Sequence, residues 1–361
     1  MKENIYTPSQ ILYLTAITLI SFGKGMGLPG NNSIYIILFS LAVVLIVLKI
    51  SRDIWDISIL YKVMIVGMIA LVNFFFTREP AFLFSLVLLV GVKGISFHSI
   101  LKVAFFSRIF AFITTVGLSF LGVLPKYEIV FYRNNMFISR FGYGFEHPNL
   151  LHSSFVMIVL FGMYLYYNKI NLLHYTFILL LNLLIYYASA SRTGFYIIII
   201  AVVVHLFSQL SFFKNVLRIV LPWLQIILTL ITIILALNIQ KPIVARLDEY
   251  FTGRLYYANL QFQYFPSLLG RHYPSELNIN FDNSYSMLFA LYGIIVALLL
   301  HYWYCSTAVK IRKLSNFAPV FLFFILSIIM FTESYYTNAV YNVTLFMTAI
   351  IFFNGEKEEF L

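Results

Sequence analysis

The chain has 361 residues, 61% of them hydrophobic and only 11% charged, with a mean hydropathy of +0.90 and a formal net charge of +10. A water-soluble domain is about half apolar and about a quarter charged, so this composition excludes an ordinary soluble enzyme and makes the bilayer the solvent for most of the chain. The positive balance does not point to nucleic acid, because the basic residues are scattered over short loops and no basic module stands apart.

Residues 1–10 are polar, and no small-residue cleavage site follows the first apolar run. That run is therefore expected to be a transmembrane helix and not a cleaved leader. Apolar runs then follow at 10–22, 33–49, 57–76, 80–92, 100–124, 150–167, 172–188, 193–210, 216–239, 285–304, 318–331 and 339–353. They predict an all-α integral membrane protein of about twelve transmembrane helices. Residues 1–361 read as a single polytopic membrane domain with long outer loops at 125–149 and 240–284, and no internal repeat. Aromatic residues make up 19% of the chain, an excess suited to the two membrane interfaces or to a sugar or lipid ligand. The single cysteine, Cys305, excludes an intrachain disulfide.

If both termini are cytoplasmic, the inner loops carry Lys49, Arg52, Lys93, Lys102, Lys169, Lys214, Arg218, Lys310, Arg312 and Lys313. That is a positive-inside pattern. The outer side then receives Lys24, Arg78, Lys126, Arg133, Arg140, Arg192, Lys241, Arg246, Arg254 and Arg271. Lysine dominates inside and arginine outside. Arginine's rigid fork matches phosphate oxygens, whereas lysine is a point charge. Arg78, Arg133 and Arg246 fit snorkelling to lipid phosphate. Arg140, Arg192, Arg254 and Arg271 each stand beside glycine or a polar cluster, and fit an outward site for a phosphate-bearing ligand.

Four polar clusters mark the outer ends of the apolar runs. The first is Arg140-Phe-Gly-Tyr-Gly-Phe-Glu146-His147-Pro-Asn149, which gathers a cation, a carboxylate, an imidazole and an amide within ten residues. Gly142 and Gly144 allow close backbone approach or positive φ. The plainer reading is a glycine turn with His147 or Asn149 as a helix cap. The second is Ser189-Ala-Ser-Arg192-Thr-Gly194, a tight hairpin of small residues or a helix break that aims Arg192 at a partner. The third joins Gly270-Arg271-His272-Tyr273 to Asp282-Asn283-Ser284-Tyr285. There Asp282 or Ser284 caps a helix, or Asp282 presents a carboxylate to the outer cavity. The fourth is Glu333, which either pairs with an arginine or serves a ligand. Residues 242–265 are expected to form an amphipathic helix on the membrane surface, with Pro266, Gly270 and Pro274 breaking any helix beyond it. No P-loop, HExxH, CxxC or G-x-S-x-G is present.

These motifs, in the order RFGYGFEHPN, SASRTG, a long outer loop with Gly-Arg twice, DNSY followed by Gly293, and TES-YY, resemble the bacterial O-antigen polymerases of the Wzy type, within the superfamily that includes the O-antigen ligases. The resemblance implies a GT-C-like, metal-independent glycosyltransferase without cofactor, multi-pass in the cytoplasmic membrane, with its active site extracytoplasmic. It implies undecaprenyl-diphosphate-linked glycan as donor and acceptor, with a chain-length regulator and a flippase as partners, and a capsule, O-antigen or exopolysaccharide as product. Arg140, Arg192 and Arg254 or Arg271 would hold the diphosphate, with Asn149, Asn283, Tyr285 and Glu333 lining the substrate site. The ligase branch has a histidine-asparagine pair where this chain has Asp282-Asn283, which tilts the reading toward polymerase. Asp282 is the first candidate base, followed by Glu146, His147 and His272. An arginine-rich setting lowers a carboxylate's pKa and weakens it as a base, which counts against Asp282 and Glu146. A ligase shares every feature except the acceptor. A lipid-linked oligosaccharide flippase or other transporter is expected to place polar groups near mid-membrane instead.

Overall fold

The computed structural model describes residues 6–133, 136–263, 267–273 and 279–353. Among them, seven helices are long and apolar enough to cross a membrane: Ser33–Arg52, Ile57–Thr77, Phe97–Phe120, Pro148–Leu165, Leu172–Ser189, Ser211–Leu237 and Ser284–Ile311. Shorter apolar helices run over Ala81–Gly91, Arg192–Phe207 and Ala318–Ile329. The chain divides into two compact units, one holding residues 6–53 and 94–209, the other residues 54–93 and 210–353.

In the first unit the helix starts follow local capping chemistry. Thr7 and Gln10 form a reciprocal capping box ahead of Pro8–Gly25, with Pro8 in the first turn where its missing N–H costs nothing. Asn32 caps Ser33–Arg52, and Ser96 caps Phe97–Phe120. Residues 125–149, expected as an irregular outer loop, instead contain an antiparallel hairpin, Glu128–Arg133 with Met136–Phe141, in a register that pairs Ile129 with Arg140 and Tyr132 with Phe137. The β-branched and aromatic side chains there favour a pleated strand over a coil, so a two-stranded sheet accompanies the helices among the described residues. Gly144 turns the chain back at φ +90, with a Thr115 methyl and carbonyl where a Cβ would sit.

In the second unit the apolar run 339–353 does not form a long helix. It holds only the short turns Thr344–Thr348 and Ala349–Ile351, packed in the interior. The surface helix expected over 242–265 is two helices, Pro242–Tyr250 and Arg254–Gln263, separated by Thr252 and Gly253 in left-handed conformation. Its residues 264–265, and the breakers Pro266 and Pro274, lie outside the described residues. Ile239, Val244 and Leu255 bury together against Leu235, Leu247, Phe251 and Phe331. The two helices therefore dock on the unit's own spans.

The helix opened by Ser284 is interrupted. Ser284–Met287 passes through a π-turn at Leu288–Tyr292 before Gly293–Ile311 resumes. Gly293 makes the break at φ +85 and ψ +170, a conformation essentially confined to glycine. Backbone groups freed by the break are satisfied by the 267–271 segment. Ile294 N–H donates to Ser267 O at 3.0 Å, Ile295 N–H to Leu268 O at 3.2 Å, and Arg271 N–H to Leu291 O at 3.0 Å. Asn73 Nδ2 bridges Leu269 O (2.9 Å) and Tyr292 O (2.7 Å). Such a break survives only where something re-satisfies the open backbone.

Candidate functional site

Each unit carries one cluster of the residues that the sequence singles out. In the first unit, Arg140 is buried on the second hairpin strand. Its Nε donates to Ser189 O at 2.6 Å, and its Nη2 donates to Asn149 Oδ1. One guanidinium thus ties the hairpin to the last turn of Leu172–Ser189 and to the first turn of Pro148–Leu165. The cap of the latter helix is His147, whose Nδ1 accepts from Asn149 N–H at 3.0 Å. Asn149 does not cap; it serves Arg140. Burial, and then the Arg140 charge, hold the His147 imidazole below its ordinary pKa, so it is neutral at pH 7. Glu146 is exposed.

Beneath this group lies a network that the sequence does not reveal. His152 is fully buried, with Nε2 2.9 Å from Asn182 Oδ1 and Nδ1 3.1 Å from Ser189 Oγ. An amide oxygen only accepts, so Nε2 carries the proton and Ser189 Oγ–H donates to Nδ1. Asn182 Nδ2 donates onward to Phe195 O at 3.1 Å. Gly194 leaves room for the imidazole, since a Cβ there would stand 2.6 Å from the ring. Arg192, half-buried, opens the next helix after Ser191, and Ala190 closes the previous one in left-handed conformation. The small residues of Ser189–Gly194 therefore pack a hairpin around His152 and leave Arg192 at a helix N-terminus, where the dipole also favours an anion.

In the second unit the cluster centres on Glu333. Arg254 Nη2 stands 3.4 Å from Glu333 Oε1, while Nε donates to Thr332 O at 2.7 Å and Nη1 to Phe251 O (3.1 Å) and Thr252 Oγ1 (2.5 Å). Arg254 is thus a clamp on the 332–333 turn. Asp248 sets its place by accepting from Leu255 N–H (2.7 Å) and Tyr256 N–H (3.2 Å), which caps the helix that Arg254 begins. On the other side Asn283, not Asp282 or Ser284, caps the Ser284 helix, with Oδ1 accepting from Tyr285 and Ser286 N–H and Nδ2 donating to Phe331 O at 2.8 Å. Ser284 Oγ donates to Glu333 O and accepts from Tyr335 and Tyr336 N–H.

Asp282 is exposed and close enough to act on Glu333 electrostatically. Burial pushes the Glu333 carboxyl up to about 7; Arg254 pulls it down, Asp282 pushes it up, and a hydrogen bond from Tyr335 pulls it down again. The Glu333 side chain keeps 24% of its surface, so water moderates the burial effect and leaves a path for a proton. An acid held between an arginine and a second carboxylate, with solvent at hand, is set up to exchange protons near neutral pH.

The remaining candidates divide between chemistry and scaffold. Tyr285, expected to face a ligand, is completely buried with its hydroxyl donated to Ser327 O at 2.8 Å. It and Asn283 hold the helix start. Arg271 and His272 are exposed on the segment that fills the helix break. His272 Nδ1 lies 3.1 Å from Thr77 O, and its ring acts on Glu79. Burial raises the Glu79 carboxyl and the His272 charge opposes the rise. Glu79 stands just before the apolar helix Ala81–Gly91, where a carboxylate is a usable sequence signal, whereas Asp248 lies in the last turn of Pro242–Tyr250 and carries no such signal. Compared with protein-family models, characterised proteins and solved structures, the chain matches none.

Proposed function

We propose that this chain is a membrane glycosyltransferase that joins oligosaccharide repeat units carried on undecaprenyl diphosphate at the outer face of the cytoplasmic membrane. The observation that carries the reading is the Glu333 carboxylate, held near neutrality between Arg254 and Asp282 at the ends of apolar helices. Glu333 replaces Asp282 as first candidate base, because a carboxylate of raised pKa is the stronger proton acceptor at pH 7. Asp282 sustains that rise through its charge.

In the reaction an acceptor sugar hydroxyl gives its proton to Glu333 and attacks the donor's anomeric carbon. The bond from that carbon to the diphosphate oxygen breaks, the diphosphate leaves with the electron pair, and the anomeric centre inverts. Negative charge grows on the leaving oxygen, so guanidinium donors stabilise the transition state more than the ground state. Arg271, exposed beside the helix break in the same unit as Glu333, takes that role in the proposal. Arg140 and Arg254 position their neighbours. On this reading the scaffold is GT-C-like, and the shorter apolar helices add crossings to the seven long spans.

A transporter is the second reading. It is favoured by the broken helix at Gly293 and by buried Gln225 and Thr229 midway along Ser211–Leu237, with Thr229 Oγ1 2.8 Å from His301 Nε2. The two are separated by incubating the purified protein in nanodiscs with a lipid-linked repeat unit. A ladder of longer glycans supports the polymerase, and a single transfer to another acceptor makes it a ligase. Unchanged substrate, with Glu333→Gln behaving as wild type in cells, sinks the enzyme reading.

A further inference from the structure

Within the first unit a groove of about 540 Å³ runs between Pro148–Leu165, Leu172–Ser189 and Phe105. That size is in the range of about 300–1,000 Å³ that holds small ligands. Its lining follows helical periodicity: Phe155, Ile158, Gly162 and Tyr166 along one helix edge, and His174, Phe177, Ile178 and Leu181 along the facing edge. From Phe155 to Tyr166 the groove extends about 16 Å along the helix. Its walls are apolar except at one end, where Lys169 and His174 line it at the turn joining the two helices. Lys169 is exposed, and the His174 ring lies against Asn171 Oδ1 at 2.6 Å.

That turn is rigidly seated. Tyr167 is buried with its hydroxyl bonded to Ser208 Oγ. His205 Nε2 lies 3.1 Å from Tyr167 O, and Tyr175 Oη 2.6 Å from His205 Nδ1. The cation is therefore presented from a fixed backbone, at the opposite end of the two helices from the Arg140 cluster. Apolar walls alone accept any acyl chain; a lysine and an imidazole at the mouth select a negative head group.

We propose that this groove is a specific site for one anionic glycerophospholipid, with an acyl chain along Phe155, Ile158, Phe177 and Leu181 and the head-group phosphate at Lys169 and His174. The site stands independently of the glycosyltransferase reading.

Native mass spectrometry of the detergent-purified full chain tests it, with phosphatidylglycerol and phosphatidylcholine of identical acyl chains offered in equal amounts. Wild type is expected to retain one phosphatidylglycerol at least about fivefold more than phosphatidylcholine, the preference one well-placed lysine confers. Lys169→Gln with His174→Ala is expected to abolish the preference while Lys169→Arg keeps it. Ile158→Trp, which fills the groove, should lose both lipids, and Leu181→Trp from the opposite wall repeats the test should Ile158→Trp not fold. Equal retention of the two lipids by wild type overturns the proposal, as does a preference that survives the double variant. Displacement of the lipid by glycerol phosphate alone also overturns it, because the acyl groove would then contribute nothing.

Discussion

Arg254 reaches across 79 positions of sequence to stand 3.4 Å from Glu333, while its Nε–H grips Thr332 O of the same turn and its Nη1 N–H groups grip Phe251 O and Thr252 Oγ1 before its own helix. The pair is asymmetric. The arginine is committed to its scaffold, whereas the carboxylate keeps access to solvent. Arginine here sets the charge of the acid and does not itself reach for a ligand.

That asymmetry predicts a pH profile. Burial raises Glu333 to about 7, so the base is protonated and idle below that pH. Transfer should fall close to tenfold per unit on the acid side. Removing the arginine charge in Arg254→Gln should move this limb to higher pH, because the charge that lowers the pKa is lost. Asp282→Asn should move it to lower pH, because the charge that raises the pKa is lost. Rates with a lipid-linked repeat unit between pH 5 and 9 check both directions, and equal limbs in all three proteins remove Glu333 as the base.

The interrupted helix makes a prediction about stability. A Cβ at position 293 would stand 2.2 Å from Gly270 N, and the backbone there is at φ +85. Gly293→Ala should cost ~1–3 kcal/mol in backbone strain alone, and more from the contact. The measurement is thermal unfolding in detergent. An unchanged midpoint would mean that the 267–271 segment is not seated in the break.

Much of this architecture was legible in the chain, and the failures have physical causes. Seven of the twelve apolar runs form helices of spanning length among the described residues, because hydropathy is additive and local. Glu333 pairing with an arginine was one of two readings, and the geometry contains it. The hairpin at 128–141 carries the strand signal in its β-branched and aromatic residues, but two six-residue strands beside long spans are too short to stand out from a loop. Residues 339–353 have the composition of a span yet form short turns, because composition does not record how a segment packs. His152 was invisible, since its partners Asn182 and Ser189 lie 30 and 37 positions away. Asn73 was equally hidden, because its task is to bridge carbonyls some two hundred residues downstream.

The His152 network should behave as scaffold. Asn182→Leu removes the acceptor for Nε2–H and the donor to Phe195 O together. Each buried polar group left alone costs ~1–3 kcal/mol. The variant should unfold at lower temperature, while Asn182→Asp, which still accepts from the imidazole, should lose less. Equal losses in the two would place the cost in packing and not in the hydrogen bond.

Arg271→Ala tests phosphate binding in the glycosyltransferase proposal. Loss of one donor to the leaving group typically costs ~2.7–4 kcal/mol in barrier, or a rate drop on the order of 10²–10³. Cells carrying the variant should accumulate single lipid-linked units and little polymer. Normal polymer length and amount would remove Arg271 from the site.

Asp248 offers the most indirect test, and one that separates position from chemistry. Its carboxylate accepts from Leu255 and Tyr256 N–H, the first free amides of the helix that Arg254 opens. Asp248→Ala leaves those amides open at a cost of ~0.5–2 kcal/mol, and Leu255 is fully buried, so the helix start must loosen before they can find water. Hydrogen exchange at both amides should accelerate. Loosening also frees the Arg254 backbone, which weakens its hold on Glu333 and raises the carboxyl further. The acid limb of the pH profile should therefore move in the same direction as in Arg254→Gln, by a smaller amount, although Asp248 touches neither carboxylate. Faster exchange with an unmoved limb would show that Arg254 keeps its place without the cap.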